Sequence, residues 1–155
     1  MTIRQRARRV FMLAADRTTQ AVYRLSGGRV GGKQLRYSIL LLHSTGRTTG
    51  QVRTHALLYL CDGERYVVCA SNYGAPRHPN WYLNLLAHPR VRIEAGPRRL
   101  EVLAEVAAGD ERERLWRRWI ALWPPAAGYQ RDAAGRELPI VILRPVAPTE
   151  GEQPQ

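Results

Sequence analysis

The sequence predicts an α+β fold in which about six mostly antiparallel strands form a barrel and helices are inserted between them. Strand-length segments rich in apolar and β-branched residues follow one another, and turn signals such as Asp62-Gly63 and Gly96-Pro97 separate them. No glycine-rich dinucleotide fingerprint follows a strand in the required way, which argues against a parallel Rossmann sheet.

Each element follows from its local pattern. The predicted strands are 37–44, 53–61, 65–70, 91–94, 98–106 and 139–144. A helix over 78–87 is predicted because Pro79 suits a first helical turn and aromatic and leucine side chains then recur at i, i+4. A second helix runs from Asp110 to about Trp123, and a loop or short helix after it carries Tyr129.

The chain divides into one domain with two flanking segments. Residues 1–36 are predicted to form a basic amphipathic helix over 3–25 and a glycine-containing linker. Residues 37–146 form the barrel domain, and the Pro/Glu/Gln-rich tail 147–155 is expected to be disordered.

The charge is strongly positive and unevenly distributed. The formal net charge is +11, and residues 1–36 hold eight arginines, one lysine and a single acid. Such a surface attracts an anionic ligand, an anionic membrane or nucleic acid. Nucleic acid is disfavoured because aromatic residues are not interleaved with the basic run. Two interpretations of the helix over 3–25 stay open: it packs on the domain, or it lies on a membrane surface.

The sequence predicts a cytoplasmic location, with association at the inner face of the cell membrane if the helix over 3–25 binds lipid. The longest apolar stretches, 39–42 and 56–60, are far shorter than the roughly 18 residues of a membrane-spanning helix. The basic N-terminus lacks a following apolar signal core. Cys61 and Cys69 flank a hairpin turn, so we expect them to be small buried hydrophobic residues rather than a disulfide pair.

Three segments contain side chains suited to binding a ligand. In the loop Ser44–Gly50, glycines allow close backbone approach, while hydroxyl groups and Arg47 supply donors for a phosphate. Small and polar residues in Ala70–Pro76 leave room for a ligand at a strand end. The segment His78–Leu85 offers the flat face of Trp81. Taken singly, the first two segments are more typical of surface turns than of ligand sites, and the third is typical of a helix with an aromatic core anchor.

Together, the order and spacing of these segments resemble the deazaflavin-dependent nitroreductase family, which uses coenzyme F420. The matching residues are 45–50, 57–60, 62–63, 70–72, 79–85, 86–89 and 136–141. This resemblance covers roughly residues 37–145 and implies a split β-barrel with the deazaflavin in a surface groove. FMN is the alternative cofactor.

The resemblance also implies site residues. The cofactor phosphate would be held by Arg47, Thr48, Thr49 and Gly50. The cofactor ring and its side chain would contact Ala56, Leu57, Leu58, Ala70, Ser71, Asn72, Trp81 and Asn84. Arginines of the N-terminal third would suit the acidic oligoglutamate tail of the coenzyme. Several relatives carry lysine where this chain has Thr48 and Asn72, and the segment 123–129 retains Tyr129 as its single tyrosine, so we expect an altered substrate pocket.

The predicted function is an F420H2-dependent oxidoreductase that transfers a hydride to a small electron-poor acceptor: a quinone, an enone or a nitro compound. The cofactor carries the difficult chemistry, so no catalytic dyad is needed. Tyr129 is the first candidate catalytic residue and Ser71 the second, and each would donate to the developing anion on the acceptor.

The four histidines lack metal-ligand spacing, and no metal site is expected. The alternatives are an FMN- or haem-binding split-barrel protein and a non-catalytic basic membrane-binding module.

Overall fold

The computed structural model describes residues 37–147, together with Ala21, Leu25, Lys33 and Gln34. The strands are β1 (Lys33–Gln34), β2 (Tyr37–Thr45), β3 (Val52–Asp62), β4 (Arg65–Cys69), β5 (Arg90–Ala95), β6 (Arg98–Val106) and β7 (Ile140–Pro145). The helices are α1 (Asn80–Ala87), α2 (Gly109–Leu122) and α3 (Pro125–Asp132), and a 3-10 turn covers Asn72–Gly74. The predicted α+β barrel is confirmed.

The barrel closes through six antiparallel strands. Neighbouring strands follow the order β1-β2-β3-β4-β7-β6-β5, and β5 also pairs with β2. The short strand β1 extends β2 at the outside of this ring. The β2–β3 hairpin has a register in which Thr45 faces Val52, so the loop 46–51 emerges at one end of the barrel.

The apolar residues form two clusters because successive side chains of a strand point to opposite faces. Side chains such as Leu40, Val68 and Leu143 fill the barrel interior, and α1 plugs it with Trp81 and Tyr82. A second cluster lies on the outside. Its members from β4, β7, α2 and α3 include Val67, Ile142, Leu115, Trp119 and Ala126.

The helix α2 is also attached to the barrel by charge. Asp62, at the end of β3, accepts hydrogen bonds from Arg65 and from the α2 residues Arg114 and Arg118. The guanidinium groups of Arg114 and Arg65 hold the pKa of the Asp62 carboxyl well below its usual value. A bidentate contact with Arg114, at 2.9 Å for each oxygen, fixes α2 against the β3–β4 turn.

The two cysteines differ in environment, and the expectation that both are buried is wrong for Cys61. Cys61 is exposed and Cys69 is buried, and both are free thiols. Cys61 is exposed because it lies beside the β3–β4 turn, where its strand leaves the apolar cluster. Burial raises the pKa of the Cys69 thiol to about 12, so it stays protonated.

The predicted N-terminal helix over 3–25 lies outside the described residues except for Ala21 and Leu25, which are both helical and exposed. The prediction of a disordered tail also falls outside them, apart from Ala147. Among the described residues, no helix is both long and apolar enough to cross a membrane.

Candidate active site

The loop between β2 and β3 is a tight turn stabilised by its own backbone. The N–H of Gly46 donates to the Gln51 carbonyl and the N–H of Gly50 donates to the Gly46 carbonyl, each at 2.8 Å. Gly50 has a φ of +69°, which favours glycine. A Cβ on Gly46 would lie 2.5 Å from Thr49 Oγ1, so glycine is also required there. The predicted glycine-dependent loop is therefore present.

The buried amide of Asn84 connects this loop to the helix α1. Its Oδ1 accepts from the main-chain N–H and from the guanidinium of Arg47, both at 3.1 Å. Its Nδ2 donates to Ser44 Oγ at 3.2 Å. Because all of these groups belong to one barrel end, the fold holds Arg47 in place before any ligand binds.

The crest of the loop presents hydrogen-bond donors to solvent. Arg47, Thr48, Thr49 and Gly50 are all exposed. Within residues 37–147, the N–H groups of Thr48 and Thr49 and the hydroxyl of Thr48 meet no acceptor. Unpaired amides, a hydroxyl and a guanidinium on one turn are the donor set that a phosphate requires, so these residues fit the phosphate of a cofactor.

The segment after β4 is held by one arginine, Arg136. Its guanidinium donates to the carbonyls of Ala70, Ser71 and Ala75 at distances of 2.8 to 3.2 Å. It also contacts His78 Nδ1 at 3.1 Å. Burial, followed by the charge of Arg136, lowers the pKa of His78, so the neutral ring is favoured.

Of the two candidate catalytic residues, Ser71 lies in this segment and Tyr129 packs against it. Gly74 approaches α3 so closely that an added Cβ would lie 2.8 Å from the Tyr129 carbonyl oxygen. The Tyr129 ring contacts the Tyr73 ring edge to face, with centroids 6.0 Å apart. Within residues 37–147, the hydroxyls of Ser71 and Tyr129 meet no hydrogen-bond partner. Both hydroxyls are therefore available to a ligand.

The strand β3 begins directly after the loop 46–51 (the phosphate-type loop), and its outward side chains join the cluster that includes Tyr129. Leu58 packs on the outside of the barrel in the same cluster as Tyr129. Ala56 points to the same face because it lies two residues earlier. In contrast, the Leu57 side chain packs in the barrel interior. Only the Leu57 backbone could therefore contact a ring that binds on the outside.

The other predicted site residues are placed as follows. Ala70 is fully buried in the barrel interior and Trp81 packs in the plug formed by α1. Asn72 Nδ2 donates to the Arg77 carbonyl at 2.8 Å. The structure thus brings Arg47 together with Asn84, and it packs α3, which carries Tyr129, against the 3-10 turn that follows Ser71. The contacts of all these residues with the cofactor stay predictions.

Sequence reasoning missed two residues of this region, Arg136 and Tyr73. Arg136 begins the segment 136–141 that carries the resemblance, but among 24 cationic residues nothing local indicates that it binds the segment after β4. Tyr73 interrupts an otherwise small and polar segment, Ser71–Ala75, and this bulky residue in a turn before glycine was the available signal.

A closed antiparallel barrel, with a phosphate-type loop at one hairpin and aromatic side chains beside its outer face, defines a cofactor-binding protein of the split-barrel class. The model of the F420H(2)-dependent quinone reductase family matches residues 15–145. The chain belongs to this family. It is an oxidoreductase, and its cofactor is coenzyme F420.

Two mycobacterial proteins similar in sequence to this chain carry the same family name. An F420H(2)-dependent quinone reductase of Mycobacterium tuberculosis strain H37Rv is 39% identical over 132 residues, covering 82% of this chain and 87% of the relative. A second protein of that strain, a putative F420H(2)-dependent quinone reductase, is 38% identical over 106 residues, covering 68% and 88%.

Solved structures show the same fold. An F420-H2 dependent reductase, FDR-A, superposes with a TM-score of 0.63 at 34% identity, covering 68% of this chain and 93% of that chain. A protein described as a domain-swapped dimer gives a TM-score of 0.66 at 31% identity, covering 82% and 96%. A Listeria innocua protein described as a pyridoxamine 5'-phosphate oxidase has a TM-score of 0.50 at 14% identity, which shows the fold alone.

Proposed function

We propose that this protein uses F420H2 to reduce a quinone. Two observations carry the proposal. Within residues 37–147 the hydroxyls of Tyr129 and Ser71 have no hydrogen-bond partner, and Tyr129 packs in the same outer cluster as Leu58 of β3. The names of the family and of its mycobacterial relatives support the choice of a quinone.

The phosphate-type loop anchors one end of the cofactor. Arg47 supplies a forked cation, and the amides of Thr48 and Thr49 supply further donors. Because Asn84 already fixes Arg47, little ordering free energy is lost when the phosphate binds. The outward side chains Ala56 and Leu58 offer a flat apolar surface along which a ring lies.

The protein's second task is to stabilise charge on the acceptor. When bound, the reduced deazaflavin supplies a hydride to an electron-poor acceptor. A quinone that gains a hydride carries negative charge on oxygen and needs one proton to become a hydroquinone. A hydroxyl donor close to that oxygen stabilises the charge. We propose Tyr129 as this donor, because its hydroxyl has no partner within residues 37–147, and Ser71 as the second donor.

The experiment is a binding titration followed by a turnover assay. Purified protein is titrated with F420 in physiological salt, and F420H2 oxidation is then followed with menadione as acceptor. We expect saturable micromolar binding and menadione-dependent oxidation. Protein that purifies with flavin absorbance and ignores F420, or that binds F420H2 without reducing menadione, would contradict the proposal.

The same assay measures the other acceptor classes. We propose that an enone and a nitroaromatic compound are poorer substrates than menadione, because the segment 123–129 keeps Tyr129 as its single tyrosine and so offers an altered acceptor pocket. Values of kcat/KM for menadione, cyclohexenone and a nitroimidazole rank the three classes. A nitroimidazole preferred over menadione would contradict this ranking.

We also propose that the chain is a cytoplasmic protein that associates with the inner membrane surface through residues 3–25. Supporting this, Ala21 and Leu25 are apolar residues of the predicted amphipathic helix and both are exposed, Leu25 by 89%. Pelleting with anionic vesicles tests the full chain against a variant lacking residues 1–30. Equal pelleting of the two would exclude this role for the segment.

A further inference from the structure

We propose that Tyr73 binds the ring of the acceptor together with Tyr129 and so determines which acceptors the protein prefers. This inference rests on the proposed quinone reductase function. Tyr73 lies in the 3-10 turn Asn72–Gly74, on a different element from Tyr129 in α3. The acceptor site would therefore be built from two sides.

The two tyrosine rings form an aromatic corner. Their centroids are 6.0 Å apart and their planes meet at 84°, within the range of favourable edge-to-face pairs. Tyr73 is nevertheless 55% exposed, so half of its surface is available beyond this contact. A flat acceptor ring finds one wall on which to stack and a second wall to touch with its edge.

The backbone that presents Tyr73 is unfavourable for a tyrosine. Three successive residues have left-handed φ angles: Asn72 at +45°, Tyr73 at +54° and Gly74 at +75°. Glycine adopts this conformation without the steric cost that a bulky side chain incurs. A tyrosine that strains its backbone and yet stays 55% exposed indicates a role for its ring beyond the packing on Tyr129.

The surroundings hold this strained turn in place. Arg136 bonds the carbonyls on both sides of it, at Ser71 and Ala75. Gly74 lies directly against the Tyr129 main chain. The turn and α3 therefore keep a fixed separation, and the two rings are preorganised rather than brought together by the ligand.

The position of Tyr73 and Tyr129 indicates that these rings contact the acceptor and not the cofactor phosphate. The phosphate-type donors belong to the loop 46–51, whereas Tyr73 contacts Tyr129, the proposed donor to the acceptor oxygen. A quinone whose oxygen reaches the Tyr129 hydroxyl lies against the Tyr73 ring. Its aromatic plane and electron-poor character suit such a contact.

The experiment compares Tyr73→Gly, Tyr73→Phe and wild type at saturating F420H2, with menadione as the varied acceptor. Leu86→Ala serves as the matched control because Leu86 is also 55% exposed but lies on α1. We expect Tyr73→Gly to raise the KM for menadione about three- to tenfold, the loss of one aromatic contact. Tyr73→Phe retains the ring and stays close to wild type.

Two further readouts separate binding from structure. Because glycine relieves the left-handed strain, Tyr73→Gly should keep or raise the melting temperature and leave the Kd for F420 unchanged. A lower melting temperature with an unchanged KM would show a structural role and overturn the inference. If wild type reduces menadione and Tyr73→Gly has the wild-type KM, the inference alone fails. If wild type binds F420H2 and reduces no quinone, the proposed function fails and the inference with it.

Discussion

Asn84 accepts two hydrogen bonds from Arg47 on a single side-chain oxygen, one from the main-chain N–H and one from the guanidinium, both at 3.1 Å. Its amide nitrogen donates to the fully buried Ser44. The helix that plugs the barrel thereby fixes the loop proposed to bind phosphate. Asn84 is 5% exposed, so it acts on the cofactor through Arg47.

Replacing Asn84 by alanine should weaken both the loop and the fold. It leaves the Arg47 N–H and the Ser44 hydroxyl without their partner, which costs about 1–3 kcal/mol in the free energy of unfolding. We expect F420 affinity to fall about tenfold, measured by titration, because about 1.4 kcal/mol of loop ordering is then lost on binding. Asn84→Asp, which keeps the acceptor, should retain part of this affinity. Asn80→Ala, on the exposed start of the same helix, is the control, and equal losses in the two alanine variants would contradict the linkage.

Arg47→Ala should reduce F420 affinity more than removal of an arginine elsewhere. Charge-assisted bonds to phosphate are about twice as strong as neutral ones, so we expect at least a tenfold higher Kd. The salt dependence of the Kd should become shallower, because one cation no longer meets the phosphate. Arg98→Ala, at the exposed start of β6, is the matched control. If both variants lose affinity equally, the phosphate site lies elsewhere.

The order and limits of the elements were predictable because they depend on local patterns. The Asp62-Gly63 turn joins β3 to β4 as expected. The helix predicted over 78–87 begins two residues later, at Asn80, because Pro79 is extended and forms the N-cap instead of the first turn. The predicted strand 139–144 is observed as Ile140–Pro145. Each of these signals involves residues within a few positions of one another.

The contacts within the site were not predictable, because they join residues far apart in the chain. Arg136 contacts carbonyls more than 60 positions earlier, and Asn84 contacts Arg47 37 positions earlier. Nothing in the order of residues reveals which of many arginines closes which loop. Successive side chains of β3 point to opposite faces, so the Leu57 side chain points inward. The family resemblance instead predicts that the cofactor ring contacts all of Ala56, Leu57 and Leu58.

Arg136→Ala should destabilise the segment 70–78 and impair turnover together. The substitution leaves the carbonyls of Ser71 and Ala75 without their charged donor, which costs about 2–4 kcal/mol in the free energy of unfolding. We expect a lower melting temperature, and a kcat that falls more than F420 affinity because the loop 46–51 is untouched. Arg136→Lys should recover little, since one ammonium cannot match the forked contacts. Arg131→Ala, exposed on α3, should resemble wild type, and a wild-type kcat in Arg136→Ala would contradict this role.

The stability of the protein should fall as the pH drops below the ordinary histidine pKa of 6.5, and His78 should account for part of this loss. Burial, and then the charge of Arg136, lowers the pKa of His78 in the folded state, so the unfolded chain binds more protons in this window. The stabilisation is therefore present above the unfolded pKa and is lost as the pH falls through the folded one.

The variant His78→Asn tests this origin, because its amide oxygen replaces the Nδ1 acceptor for Arg136 and does not titrate. Urea unfolding at about pH 7.5 and about pH 5 should then show a smaller loss for His78→Asn than for wild type. His88→Asn, at an exposed position beyond α1, should lose as much as wild type, and an equal loss in all three proteins would exclude His78 as the source.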